Sequence, residues 1–269
     1  MRLLSWNVQW CRGVDGRVDP ARIASEARRL ADADVICLQE VAIGFAGLPG
    51  SSGENQVEAL KRELPEYAAF FGGAVDLPAK DGARQRFGNL LFSRLPVGRV
   101  LRHALPWCGR ADVPTMPRGA LEAVIEAPAG ALRVITTHLE YYSGTLRAAQ
   151  IDRLGEIYRE ADHPMAEKGE GPFKPLARPV SALVCGDFNL PPQDPLHARM
   201  KASGFADAWE ALHPGTSHPA TFRVFEEGET AYCCDYVFAS EDLVPRLRSI
   251  RVDGASRASD HQPVIAEIG

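Results

Sequence analysis

Long apolar runs are missing from this sequence, which argues against a helical membrane span and against stable membrane association. The opening residues, MRLLSWNVQW, interrupt their apolar positions with Ser5, Asn7 and Gln9, so no export signal is expected there. Cysteine is scarce, six in 269 residues, and lacks metal-type spacing. The six read as reduced core residues of a cytoplasmic protein, with Cys233 and Cys234 too close to bridge each other in the ordinary way. Positive charge is not in excess either. A formal net charge of −5 weakens the case for a surface built throughout to attract nucleic acid, while leaving room for a local basic groove or for acids that hold a cation. Low-complexity blocks and convincing internal repeats are also absent.

What remains is an ordinary globular balance, 45% hydrophobic and 24% charged, in a length that fits one large domain over 1–269 with ample core. Short segments rich in β-branched residues and bounded by turn residues predict strands at 3–8, 35–39, 68–71, 90–93, 97–103, 120–126, 132–138, 181–185, 236–239, 249–252 and 264–268. Helical spacing is clearest at 20–31, where Asp19 can cap and Pro20 suits the first turn, and at 146–161. A shorter helix is expected from Asp194-Pro195. Many strands and few helices predict packed sheets covered by helices, an α/β (α+β) sandwich.

The ends of these strands share a habit. LLSWNVQW delivers Asn7, VICLQEV delivers Glu40, VITTHLE delivers His138, and LVCGDFN delivers Asp187 and Asn189. Towards the C-terminus, CCDYVFAS brings Asp235 and ASDHQPV sets Asp260 and His261 just before the last strand. Each has a bland reading: Asn7, Asp187 and Asn189 as turn residues, Glu40 as a solvated strand end, His138 as a structural histidine, Asp235 and Asp260 as caps. The ordered set carries the weight, because polar groups gathered where apolar strands meet loops are how sheet-based active sites are assembled.

In order along the chain, SWNVQ, LQEV, GNLLFSRLP, RGAL, TTHLE, GDFN, DYVF and SDHQPV resemble the motifs of the endonuclease/exonuclease/phosphatase superfamily. That group includes DNase I-like nucleases, abasic-site endonucleases, sphingomyelinases, inositol polyphosphate phosphatases and deadenylases. The resemblance implies a four-layer αββα sandwich with a divalent metal at the mouth between the sheets. Glu40 is then a hard oxygen ligand for Mg²⁺ or Mn²⁺, and Asn7 and Asp260 complete or support the site. His261 is the expected general base, with a pKa near neutrality and its ring oriented by Asp235. Asp187 would hold the nucleophilic water, and Asn189 would donate to a non-bridging phosphate oxygen. His138 would donate a hydrogen bond or proton to the phosphate, and it speaks against an abasic-site enzyme, which carries a tyrosine-type residue in that role.

Hairpin geometry adds expectations of its own. Antiparallel strands flanking APAG put Arg118 beside the His138 end, near the phosphate. A hairpin at Leu95-Pro96 would pair Asn89 with the region of Arg102 and His103, and so place loops 72–88 and 104–117 at the catalytic end. Those loops hold Lys80, Arg84, Arg86, Trp107 and Arg110, suited to phosphate pairing and base stacking. Tyr141 and Tyr142 could touch substrate, and Arg147 with Gln150 would brace the catalytic loops. The basic segment 167–179, with Lys168, Lys174 and Arg178, is expected on the opposite face. The function expected is a monomeric divalent-metal-dependent phosphoesterase whose substrate is nucleic acid, DNA or RNA. A small phosphate ester or lipid head group is the alternative substrate, and an inactive binding module of the same fold is the remote one.

Overall fold

The computed structural model describes residues 1–80, 82–163 and 168–269, so Asp81 in the 72–88 segment and Glu167 at the start of the basic segment lie outside the described residues. In chain order the strands are β1 (Arg2–Asn7), β2 (Val35–Ile43), β3 (Ala68–Pro78), β4 (Arg84–Ser93), β5 (Val97–Ala104) and β6 (Gly119–Ala127). They continue as β7 (Gly130–His138), β8 (Ala182–Asp187), β9 (Phe205–Asp207), β10 (Asp235–Ser240), β11 (Leu247–Val252) and β12 (Val264–Ile268). The helices are α1 (Pro20–Leu30), α2 (Gln56–Glu63), α3 (Gly144–Arg159), α4 (Pro195–Ala202) and α5 (Ala208–Leu212). They build two six-stranded sheets, ordered β11-β12-β1-β2-β4-β3 and β5-β6-β7-β8-β10-β9.

The strand period of two explains the layering. Leu3, Val35, Cys37 and Leu91 point inward and meet Leu121, Ala123, Val134, Leu183 and Val237 of the other sheet. Their neighbours Leu4, Ile36, Leu38 and Phe92 point outward, where Ile23 and Ala27 of α1 and Leu60 of α2 cover them. On the other side Ile135, Val184 and Phe238 lie beneath Ile151, Leu154 and Ile157 of α3 and Met200 of α4. The result is a four-layer sandwich whose central strands are buried on both faces. At about 1.5–3 kcal/mol for each fully buried Leu, Ile or Phe, these three interfaces carry most of the favourable free energy of folding. A truncation such as Leu183→Ala would cost about 2–5 kcal/mol.

Caps fix the helices, at Asp19 and Asp194 as the sequence suggests and at Ser143 for α3, which starts two residues earlier than expected. Asp19 accepts from the backbone N–H of Arg22 at α1, Ser143 from Leu146 at α3, and Asp194 from Leu196 at α4. Three elements were not expected: α2, capped by Asn55, and β9 and α5, short elements joined at Asp207. Each is too short for its periodicity to stand out. The segment 72–88 is a long β3–β4 hairpin rather than a loop, with Ala79 donating to and closing on Ala83 at its tip. Gly72, Gly73 and Gly88 lower its strand propensity and mask it. The turn after Ser93 crosses from one sheet to the other, so Asn89 pairs with Gly72 in β3, and β5 pairs with β6, correcting the expected hairpin at 94–96.

All six cysteines are free, but Cys108 is exposed in the 104–117 segment rather than in the core. Among the described residues no helix is long and apolar enough to cross a membrane.

Two parallel pairs sit at the centre of the sheets. β1 runs beside β2 through the α1 crossover, and β7 beside β8 through α3. Their C-terminal ends open towards the same mouth, and Asp235 at the start of β10 lies opposite Asp187.

Candidate active site

Asp187 is the hub of that mouth. Its Oδ1 accepts from the backbone N–H of Asn189 at 2.8 Å, while Oδ2 accepts from Asn7 Nδ2 at 3.0 Å. The same Oδ2 stands 3.5 Å from His138 Nε2 and 3.7 Å from His261 Nε2. Asn7 also donates to Glu40 Oε1 at 3.2 Å, and its own oxygen accepts from the N–H of Gln9. So oriented, Asn7 turns its nitrogen to the acids and braces them. Asp260 completes the acidic wall, held by Gln9 Nε2 at 2.5 Å. His261 Nδ1 is 2.9 Å from Asp235 Oδ2, and the ring stacks on Phe222 with centroids 4.5 Å apart. Apart from Asn7 and Asp235, these groups line a cleft of about 210 Å³ together with Trp10, Met116, Arg118, Tyr141 and Tyr142.

The backbone is bent to make this convergence. Gln9, Trp10, Cys11, Glu40, Asn189 and Arg223 are non-glycine residues with positive φ, and Gln9, Trp10, Glu40 and Asn189 line the cleft. Each such residue costs about 1–3 kcal/mol and persists because its surroundings hold it there. At Glu40 the cause is a register shift in β2 between Leu38 and Val41, which re-aims the carboxylate into the mouth. Gly186, the glycine of GDFN, has φ +137°, and a Cβ there would fall 1.9 Å from the Thr137 carbonyl oxygen. Only glycine lets β8 run this close to β7.

Electrostatics follow from crowding. Burial raises Glu40 to about 7, with the Asp260 carboxylate adding to the shift. Burial likewise lifts Asp187 to about 6 and raises Asp260. Burial holds the His138 pKa well below its ordinary value, helped by the Arg118 guanidinium. Burial also pulls on His261, but Asp235 and Asp187 outweigh it and lift the ring to about 10. The near-neutral value expected for His261 is therefore not what this set of neighbours gives. Buried hard oxygens that push one another's pKa upward suit a divalent cation, and Glu40 and Asp260 are the two that could share one.

Arg118 is buried, and burial lowers its pKa. The β6–β7 register, with Ala120 opposite Thr137, brings it to the His138 end. Its Nε and Nη1 have no hydrogen-bond partner among the described residues, and Glu140 is 3.9 Å away. Asn89 lines a crevice shared with Glu40, Arg118 and His138, but its amide nitrogen is bonded to the carbonyls of Gly119 and Thr136, tying the two sheets together. One N–H of Asn189 goes to the Leu139 carbonyl. Trp107 lies outside the cleft, in an adjoining cavity of about 370 Å³ that shares Arg118.

Tyr141 is on the rim, its hydroxyl 3.5 Å from Arg223. Gln150 accepts from the N–H of Glu140, and Arg147 donates to the carbonyls of Glu140 and Tyr141, so both brace that loop. Arg178 is bound to Glu122, away from the cleft. Sequence reasoning missed Gln9, Trp10 and Phe222 as cleft residues. Gln9 and Trp10 follow Asn7 directly and were within reach, whereas nothing in TFRVF marks Phe222.

The family model described as endonuclease/exonuclease/phosphatase family matches residues 4–261. The chain belongs to this family of phosphoester hydrolases. A Beutenbergia cavernae protein of the same family is 26% identical, with TM-score 0.72 and coverage of 100% of this chain and 72% of that one. A Bacteroides thetaiotaomicron mannosyl-6-phosphatase is 18% identical, with TM-score 0.70 over 100% of this chain and 99% of its own. A Neisseria 3′ phosphatase solved with a product DNA hairpin is 19% identical, with TM-score 0.63 over 100% and 99%. No curated protein sequence matches the chain.

Proposed function

We propose that this chain is a divalent-cation-dependent phosphoesterase acting on nucleic-acid phosphates. The observation that carries the phosphate reading is Arg118, a buried guanidinium on the wall of the cleft beside His138 and Asp187, whose Nε and Nη1 have no hydrogen-bond partner among the described residues. A buried donor left unpaired costs about 1–3 kcal/mol, a cost recovered when a phosphate oxygen accepts from it. The rim aromatics Trp10, Tyr141, Tyr142 and Phe222 offer faces on which a base can stack.

In this reading Asp187 and His261 hold the attacking water between Oδ2 and Nε2, and His261 takes its proton with Asp235 steadying the ring. His138 and Arg118 donate to the phosphate oxygens, and Asn189 offers its second N–H. A cation held by Glu40 and Asp260 would supply Lewis-acid stabilisation and offset the carboxylates that lift His261.

A second reading, a small phosphate ester, is favoured by the surface charges. Arg84 is paired with Asp76, Arg110 with Asp112 and Arg223 with Glu229, so these cations are already neutralised where a polymer backbone would need them. The neighbours named as a sugar phosphatase and as a DNA 3′ phosphatase illustrate both substrates on this fold. Hydrolysis in Mg²⁺ or Mn²⁺ of single- and double-stranded DNA, RNA, nucleotides and sugar phosphates, with and without chelator, separates the two. Cleavage of polymer lost in His261→Ala supports the first, and turnover of small esters alone supports the second. Full activity in chelator would overturn the cation.

A further inference from the structure

On the outer side of the second sheet, away from the cleft, two histidines converge on one carboxylate oxygen. His197 in α4 and His218 in the segment after α5 each bring Nε2 to Asp207 Oδ2, at 2.8 and 2.9 Å. The other oxygen of Asp207 accepts from the backbone N–H groups of Trp209 and Glu210, at 2.7 and 3.3 Å, which fixes the carboxylate and aims Oδ2 at the rings. Glu210 adds a second acid, its Oε1 4.0 Å from His197 Nδ1 and its Oε2 paired with Lys201 at 2.6 Å. One donor atom from each of these residues lies within 4.8 Å of all the others.

Burial grades across the group. His197 and Asp207 are buried, His218 is half-buried and Glu210 is exposed, so the cluster has a closed floor and an open side. The floor is apolar: the His197 ring lies 5.1 Å from Tyr236 and 5.4 Å from Phe238. Two imidazole nitrogens gathered on one fixed carboxylate oxygen, with a second carboxylate at the edge, make a borderline N/O donor set typical of Zn²⁺. Bonds of about 2.0–2.2 Å would require the donors to spread by roughly half an ångström, which the His218 segment can supply.

We infer that His197, Asp207, His218 and Glu210 form a binding site for one divalent transition-metal ion of the Zn²⁺ kind, separate from the cleft. Its occupation would reach the catalytic side along the chain. His218 leads into Thr221, whose hydroxyl accepts from the N–H groups of Cys234 and Asp235, and then into Phe222 against His261.

The test uses chelator-treated protein carrying Glu40→Gln and Asp260→Asn, which weaken cation binding in the cleft, titrated with Co²⁺ and then Zn²⁺. One equivalent of Co²⁺ with the visible ligand-field spectrum of a four-coordinate ion, displaced by Zn²⁺, is expected. His218→Ala should abolish the spectrum. Glu210→Gln, at an exposed position where the fold is safe, should weaken binding by about tenfold or more. Absence of Co²⁺ binding, or a spectrum unchanged in both variants, would overturn the site and leave a hydrogen-bonded brace.

Discussion

Glu40 and Glu122 are glutamates of the same protein, both set on central stretches of sheet and both largely out of water, yet their acidities move in opposite directions. Glu40 rises to about 7, and Glu122 falls to about 2. Burial pushes both upward, so the neighbours decide. Around Glu122, Arg178 binds both oxygens at 2.8 Å, His103 stands at 2.9 Å and Arg133 at 3.9 Å. Around Glu40 stand Asp260 and Asp187, opposed by His261 and a single amide bond from Asn7. One acid arrives with its cations supplied by the chain, and the other is left wanting a cation. That difference separates a group that holds the fold from one placed to work on something that binds.

The largest test is to remove the satisfied acid. Glu122→Ala takes from Arg178 its two-oxygen partner and from His103 its carboxylate, and should cost about 3–5 kcal/mol, read as a fall of roughly 10 °C in the thermal midpoint, while the folded fraction keeps its specific activity. Acid should do nearly the same to the natural chain. The folded pKa of Glu122 is depressed, so its stabilisation is complete above the unfolded value of about 4.5 and is lost as pH falls through about 2. An acid titration of stability should therefore show wild type and Glu122→Gln about 3 kcal/mol apart near pH 6 and converging below pH 2. Parallel curves would break the comparison.

Glu40→Gln should do the reverse, lowering Mg²⁺-dependent hydrolysis by about 10²-fold or more while leaving the thermal midpoint unchanged or higher. Smallest of all, Arg118→Lys keeps the charge but loses the planar fork, and a rise in KM of about tenfold is expected from steady-state kinetics.

Much of this was legible in the sequence, for a physical reason. Asn7, Glu40, His138 and Asp187 follow apolar runs, and a run that must be buried on both faces reads as a strand with a definite end. The β6–β7 hairpin could be counted out residue by residue, so Arg118 fell in place. Other features depend on long-range packing. The crossing after Ser93 looks like any hairpin turn, and it misled the pairing of Asn89. Gly72, Gly73 and Gly88 made a long hairpin look like a loop. Phe222 reaches His261 from a segment without regular structure, and the bend at Glu40 is visible only once β2 is laid against β4. The lift of His261 to about 10 is likewise a sum over acids drawn from two strands and a loop.

The ladder pairing of His138 with Asp187 and of Asp187 with Asp235 gives the protein a ruler. Neighbouring strands stand about 4.8 Å apart whatever their side chains, so the spacing of these three groups is set by backbone hydrogen bonds. Insertions in the rim can change what enters without altering that gauge. A one-residue slip inside β7, β8 or β10 would turn His138, Asp187 or Asp235 to the opposite face and out of the cluster. Tolerance to change in this chain should therefore be sharply graded, generous at the lip and nearly nil a few residues below it.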